Sequence, residues 1–373
     1  MDRRQFIKSA STTSLLASPG MCALCKNLYS FTDKVNISHR EARYYKQLPH
    51  KEIECKLCPR LCKLGDKERG YCGVRENEGG TYNTLVYGKA CAAHVDPIEK
   101  KPLFHFLPSS RALSIATAGC NVHCKFCQNW EISQKRPEQV HNIDLPPSSV
   151  VRSAQKYDCP VIAYTYSEPV VFYEYMYDTS KTARTEGIKN AVITGAYINP
   201  EPLEDLLTVV DAIKIDLKAF TQKFYSEYVR GKLQPVLDAI KMVSQSDVWL
   251  EIVYLVIPTL NDSPEEIQSL CRWVRKETSP DIPVHFSRFH PMYLLKNLPP
   301  TPISTLERCR QIALDEGIHF SYVGNVPGHK GESTYCPQCH NTLIKRRAYQ
   351  IQKINLHQGR CKFCDTPIPG IWS

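Results

Sequence analysis

The chain has 373 residues, 42% hydrophobic and 23% charged, with 12 Phe, 20 Tyr and 4 Trp. That supply of apolar and aromatic side chains excludes a disordered chain. A mean hydropathy of -0.34, with no apolar run near the ~18 residues a spanning helix needs, excludes a helical membrane protein. The 17 Cys are more informative: they fall below the roughly 8–10% of a disulfide scaffold, are odd in number, and gather in tight groups as metal ligands do. Net charge is +9, and more than half of it lies beyond Cys336, where Lys345, Arg346, Arg347, Lys353, Arg360 and Lys362 face Asp365 alone. This reads as a solvated basic face.

At the N-terminus, Arg3-Arg4-Gln5-Phe6-Ile7-Lys8 and the small, weakly apolar stretch Ser9 to Leu24 resemble a twin-arginine (Tat) export signal. Next, Cys55, Cys58, Cys62 and Cys72 stand in a C-x2-C-x3-C-x9-C pattern. Four soft thiolates so close together fit tetrahedral zinc or an iron–sulfur cluster, and spacing does not choose between them.

Leu113 to Gly119 reads as a strand and its exit, and a C-x3-C-x2-C loop follows at once: Cys120, Cys124 and Cys127. Three thiolates rather than four would leave one iron of a 4Fe–4S cubane open to another ligand, as catalytic zinc sites keep an open position. Strands are then expected at Pro160–Tyr166, Asn190–Gly195, Ala212–Lys218, Val248–Ile257, Val284–His290 and Ile318–Val323, with helices between them. Ser263 and Pro264 have the pattern of an N-cap and first helical residue. Six or seven β–α units predict an α/β fold with a parallel sheet closed or nearly closed as a barrel. Chemistry in such barrels gathers at the carboxyl ends of strands, where Cys120, Glu168, Thr194, Asp216, Asn261 and His290 are expected to converge. Finally, Cys336, Cys339, Cys361 and Cys364 form two C-x2-C knuckles of zinc-ribbon type, with hairpin strands expected at Ala348–Ile351 and Ile354–Leu356.

The Cys120/Cys124/Cys127 triplet, with Phe126 before its last Cys, resembles the cluster loop of radical S-adenosylmethionine (SAM) enzymes. Cys55-Lys56-Leu57-Cys58-Pro59-Arg60, Asp96 to Leu103, Gln128-Asn129-Trp130-Glu131, Ser287 to Pro291, Tyr322 to Gly328 and Pro369-Gly370-Ile371-Trp372 narrow the resemblance. They are similar to the AmmeMemoRadiSam-system branch, relatives of pyruvate formate-lyase activating enzyme. The resemblance runs from about Lys46 to the C-terminus.

It implies a partial (β/α) barrel of the radical SAM type and a 4Fe–4S cluster on Cys120, Cys124 and Cys127. The open iron would chelate SAM, whose reductive cleavage gives a 5′-deoxyadenosyl radical that takes hydrogen from substrate. By position, Phe126 and Gln128 would flank the adenine, and Ser167 and Glu168 would stand in the family's Gly-Gly-Glu turn at the methionine amino group. Asp216 and Lys218 would contact SAM at a strand end, and His290 matches a late-strand histidine. Two departures stand out: Tyr166-Ser167 replaces two glycines, and Thr194-Gly195-Ala196-Tyr197 replaces Thr-Asn-Gly-Tyr. The implied partners are a low-potential donor of flavodoxin or ferredoxin type, and Memo-like and AMMECR-type proteins.

Expected regions are a leader and linker (1–45), a Cys-rich metal segment (46–110), the barrel (111–330) and a zinc-ribbon-like module (331–373). Zinc or further iron–sulfur clusters are expected on the outer Cys sets. The expected function is radical SAM chemistry on an unidentified substrate. The alternatives are activation of a glycyl-radical enzyme and a multi-zinc protein binding nucleic acid through its basic ribbon. SAM and low-potential electrons are made in the cytoplasm, so a cytoplasmic location is expected despite the export-like start, with Tat export as the alternative.

Overall fold

A computed structural model describes residues 36–373. The export motif at Arg3-Arg4 and the stretch to Leu24 lie outside the described residues. No helix among the described residues is long and apolar enough to cross a membrane.

Eight strands form the central sheet: β1 (Ala92–Pro97), β2 (Arg111–Ala116), β3 (Val161–Tyr164), β4 (Lys189–Thr194), β5 (Ala212–Asp216), β6 (Trp249–Val256), β7 (Val284–Arg288) and β8 (Ser321–Gly324). They pair in chain order; β2 to β8 run parallel, and β1 joins antiparallel to β2. The two edges do not meet, so the sheet is a partial barrel. Strands such as β3 are buried along their whole length, as parallel strands covered on both faces must be. Helices α1 (Pro147–Lys156), α2 (Tyr173–Thr185), α3 (Pro200–Leu207), α4 (Gln234–Ser244), α5 (Pro264–Glu277) and α6 (Ile303–Asp315) lie between successive parallel strands. Pro147, Pro200 and Pro264 open theirs, and the Ser263 hydroxyl accepts from the Glu266 amide at 3.2 Å. The parallel count is seven, the upper expectation; the antiparallel β1 was not anticipated, because Asp96 and Pro97 mask its pattern.

Small residues inside the barrel's amino end, Ala112, Ala163, Ala191 and Ala212, leave room for Ile98, Leu103 and Phe106, which plug the floor. Ile371 packs beneath them, donating its amide to His105 O and accepting from the Leu107 amide, both at 2.7 Å. Gly370 is required there: at φ +154° a Cβ would sit 2.7 Å from His105 O and 2.5 Å from the Trp372 ring. With the floor closed by hydrocarbon, the polar interior opens only at the strands' carboxyl ends.

A buried chain of polar groups crosses the same floor. His105 shares Nε2 with the Tyr322 hydroxyl (2.6 Å) and Nδ1 with Pro369 O (2.7 Å). Glu251 accepts from the His105 amide (2.8 Å) and from His285 Nε2 (2.7 Å). Burial pushes the His105 imidazole down from 6.5 to about 4. The unfolded chain therefore binds a proton near pH 6.5 that the folded chain refuses until about pH 4, so stability should fall as pH drops through that window. The loss should be on the order of 3 kcal/mol. Urea unfolding at pH 7 and pH 5 checks this; an unchanged slope in His105→Gln would rule the residue out as the source.

Residues before the barrel form short sheets, including Tyr45–Gln47, Ile53–Cys55 and Lys63–Leu64, and a hairpin of Arg75–Glu78 with Thr81–Thr84. Beyond the barrel, β9 (Thr342–Arg347) and β10 (Gln350–Ile354) make the ribbon's hairpin. This corrects the expected strands at 348–351 and 354–356. Ala348 takes a left-handed conformation (φ +53°), so the chain turns at 348–349 instead of continuing as a strand. The ribbon is joined to the barrel: Arg346, 3% exposed, donates to Phe104 O and Thr334 Oγ1, both at 2.7 Å.

Candidate functional site at the barrel mouth

The C-x3-C-x2-C loop leaves β2 through Gly119, at φ +95°. A Cβ there would lie 2.5 Å from Val74 Cγ1 and 2.8 Å from Cys72 O, so only glycine lets the N-terminal segment approach this closely. The loop is fixed on its other side by hydrogen bonds from the His123 amide to Val229 O and the Lys125 amide to Tyr228 O, both 2.9 Å. Cys124 is buried; Cys120 and Cys127 are partly so. Phe126 is buried against Phe224 with centroids 5.7 Å apart, and Gln128 is exposed.

Around this loop stand groups from three strand ends. Glu168, after β3, is buried and accepts from the Thr194 hydroxyl, the Gly195 amide (2.9 Å) and the Val170 amide (3.2 Å). Burial raises its carboxyl above the usual range against those three donors. Asp216, ending β5, pairs with Lys214 and with Lys218 at 3.1 Å. Burial alone would raise Asp216; the two ammoniums overcome it and bring the carboxyl down to about 2. Lys218 in turn is held charged, against burial, by Asp216 and the Cys124 thiol. Asn261 donates to Lys218 O at 2.9 Å, bracing that strand end rather than facing the loop. His290 is exposed, two residues past β7.

The two departures from the family pattern have a shared physical signature. Tyr166 (φ +64°) and Ala196 (φ +51°) are both left-handed, as the glycines they replace would be without strain. Tyr166 is compensated: its hydroxyl bonds Asp96, and its carbonyl accepts from Asn129 Nδ2 at 2.7 Å. Ala196 has no comparable side-chain anchor, so Ala196→Gly should raise stability by about 1 kcal/mol. A denaturant midpoint unmoved or lowered would contradict that.

Sequence reasoning assigned no role to Asp96, Lys101 and Lys214. Asp96 accepts from Lys101 (2.6 Å) and Lys100 (2.8 Å), and both Lys101 and Lys214 are nearly inaccessible. Burial pushes the Lys101 amine down to about 8 despite its partner. For Asp96 and Lys101 the signal is the segment Asp96 to Leu103, which carries the family resemblance.

The outer Cys sets differ in geometry. In the ribbon, Cys336 and Cys364 sulfurs are 3.6 Å apart, Cys339 and Cys361 sulfurs 3.7 Å, and all four lie within 4.8 Å. One zinc with Zn–S near 2.3 Å would set tetrahedral edges of about 3.8 Å. The Thr366 hydroxyl and amide pull the Cys364 thiol down to about 6, favouring the thiolate a metal takes. This group could hold one metal ion. Among the described residues no other three Cys, His or acid side chains come so close.

Residues 114–273 match the family model of the Radical SAM superfamily. An uncharacterized protein of Methanocaldococcus jannaschii is 45% identical over 331 residues, covering 88% of this chain and 98% of that protein. The pyruvate formate-lyase-activating enzyme of Clostridium pasteurianum is 24% identical over 162 residues, 42% of this chain and 66% of that enzyme. For the pyruvate formate-lyase 1-activating enzyme of Escherichia coli K12 the figures are 21% over 209 residues, 52% and 85%. A solved radical SAM methyltransferase from Sphaerobacter thermophilus is 18% identical, with 61% of this chain and 71% of that chain covered at a TM-score of 0.47. The chain belongs to the radical SAM superfamily and is an enzyme. The family implies a 4Fe–4S cluster and SAM. The residues fit them on one independent count: Ser167 Oγ, buried beside Glu168, has no hydrogen-bond partner.

Proposed function

We propose that Cys120, Cys124 and Cys127 hold the 4Fe–4S cluster and that the barrel mouth binds SAM against them, for reaction with a substrate inside the barrel. When bound, cluster and SAM supply the reductive cleavage that yields a 5′-deoxyadenosyl radical able to take hydrogen from substrate. The observation that carries this reading is the three-thiol loop at the strand ends that carry Glu168, Asp216 and Lys218.

The chain's own residues have distinct tasks. Glu168 and Ser167 present acceptors to the methionine ammonium. Lys218, charged through Asp216, offers a cation to the carboxylate and to the thiolates. Phe126 and Gln128 would flank the adenine, and His290 would serve SAM from the end of β7. The apolar floor keeps water from the radical. Asp96, Lys101 and Lys214 line the interior where substrate would lie.

Purified without oxygen, reconstituted with iron and sulfide and reduced with SAM, the protein is expected to release 5′-deoxyadenosine. A colourless preparation holding zinc and no iron would sink the reading. A second reading, activation of a glycyl-radical enzyme, is favoured by the similarity to activating enzymes. It requires a glycyl radical, detected by EPR, in an added partner. The remaining assignments are a flavodoxin- or ferredoxin-type donor, Memo-like and AMMECR-type partners, zinc in the ribbon, a cytoplasmic location, and the four regions bounded at 45, 110 and 330. Each belongs to this proposal.

A further inference from the structure

We propose that Cys55, Cys58, Cys62 and Cys72 hold a second iron–sulfur cluster, packed directly against the loop of the first. The inference rests on the reading of that loop, and its test separates the two.

The four thiols belong to a pinned scaffold. The Cys55 amide donates to Cys62 O (2.9 Å), the Leu61 amide to Cys58 O (3.1 Å) and the Gly70 amide to Arg75 O (3.0 Å). Cys55 and Cys58 are 6% and 8% exposed, and Cys62 and Cys72 are partly buried.

Sulfur spacing separates a cluster from a single ion. Around one zinc, four thiolates share one small tetrahedron, as the ribbon's sulfurs do at 3.6 and 3.7 Å. In a cubane each thiolate binds its own iron, and the sulfurs stand further apart. Among the described residues neither the N-terminal four nor the Cys120 loop closes to the ribbon's spacing.

A second observation points to an anionic occupant. Arg75 is 1% exposed; one side of its guanidinium reaches Glu174 and Val171 O, but Nη1 has no partner at all. A buried, unpaired guanidinium N–H is costly unless something accepts from it. Arg75 stands three residues after Cys72, and its carbonyl accepts from the Gly70 amide at 3.0 Å. A thiolate-ligated cluster, carrying net negative charge with acceptor sulfides on its faces, supplies what Nη1 lacks.

Position adds the functional consequence. Arg60, between Cys58 and Cys62, donates from Nε to Asn121 O (2.9 Å), between Cys120 and Cys124. Leu57 O accepts from the Asn199 amide (3.1 Å), and Cys72 O lies against Gly119. The two Cys sets are thus in contact, and beside them opens a cavity of about 850 Å³ whose charged lining, Arg60, Arg230 and Lys232, is basic throughout.

The test uses the full chain, expressed with iron and purified without oxygen, with iron, acid-labile sulfide and zinc counted and the reduced protein examined by EPR. About eight irons are expected in the wild type. Cys120→Ala/Cys124→Ala/Cys127→Ala should keep about four irons and a reduced-cluster signal; Cys58→Ala/Cys62→Ala should lose about the same amount. A wild type with about four irons and two zincs, or a loop variant devoid of iron, overturns the second cluster. A loop variant with undiminished iron would instead overturn the loop assignment and leave this one standing. Should the Cys58/Cys62 variant not fold, the wild-type ratio of iron to zinc decides alone.

Discussion

Removing the three loop thiols together is expected to abolish SAM cleavage while the barrel stays folded. Cys120, Cys124 and Cys127 lie on a loop held by backbone bonds to 228–229 and by the close approach at Gly119, and none of those contacts involves a thiol. Circular dichroism and the thermal midpoint should stay near wild type, and 5′-deoxyadenosine should fall to the level of a no-enzyme control. The comparison variant is Lys218→Met, which keeps the thiols and removes the cation paired with Asp216. It should retain iron and weaken SAM binding. Continued 5′-deoxyadenosine release from the triple variant would show that the chemistry is seated elsewhere.

Loss of Cys336 or Cys361 is expected to be the most destabilising single change in the chain. Small folds built on four metal-binding cysteines draw about 10–16 kcal/mol of apparent stability from their metal. Here the damage should spread, because Arg346 is tied to Phe104 and Thr334, and Tyr322 shares Thr334 with it. Cys336→Ser and Cys361→Ser should lower the thermal midpoint of the whole protein and expose 336–364 to protease first. A chelator should reproduce both effects on the wild type. An unchanged midpoint in either variant would mean that the ribbon stands without its metal.

Much of this could be read from residue order because the relevant information is local. A strand followed by a polar residue and a helix start places Glu168, Thr194 and Asp216 at strand ends without knowledge of the third dimension. The Cys triplet is likewise contained in eight residues. What escaped depends on distant pairing. Lys214 looks like an outward polar position in Ala-Ile-Lys-Ile-Asp, and only the pairing of β5 with its neighbours turns it into the barrel. The His105, Glu251, His285 and Tyr322 network joins four segments that share no sequence signal. The ribbon's hairpin was misplaced because Ala348 gives no warning of a left-handed turn that Gly or Asn would have announced. At Tyr166 and Ala196 the family comparison located the departure, but the reason glycine is usual there needed backbone angles.

The pairing of Ile371 with residues 105–107 also sets an order of events during synthesis. Its polar counterpart, His105 with Pro369, links positions 264 residues apart, so neither can form until the whole barrel and the ribbon's cysteines have left the ribosome. Contacts of such long sequence separation are intrinsically slow to close. Until then the plug of Ile98, Leu103 and Phe106 lacks Ile371 beneath it. A chain stalled or truncated before residue 369 would expose that apolar plug, making it a natural substrate for quality-control proteases, however complete its cysteine loop.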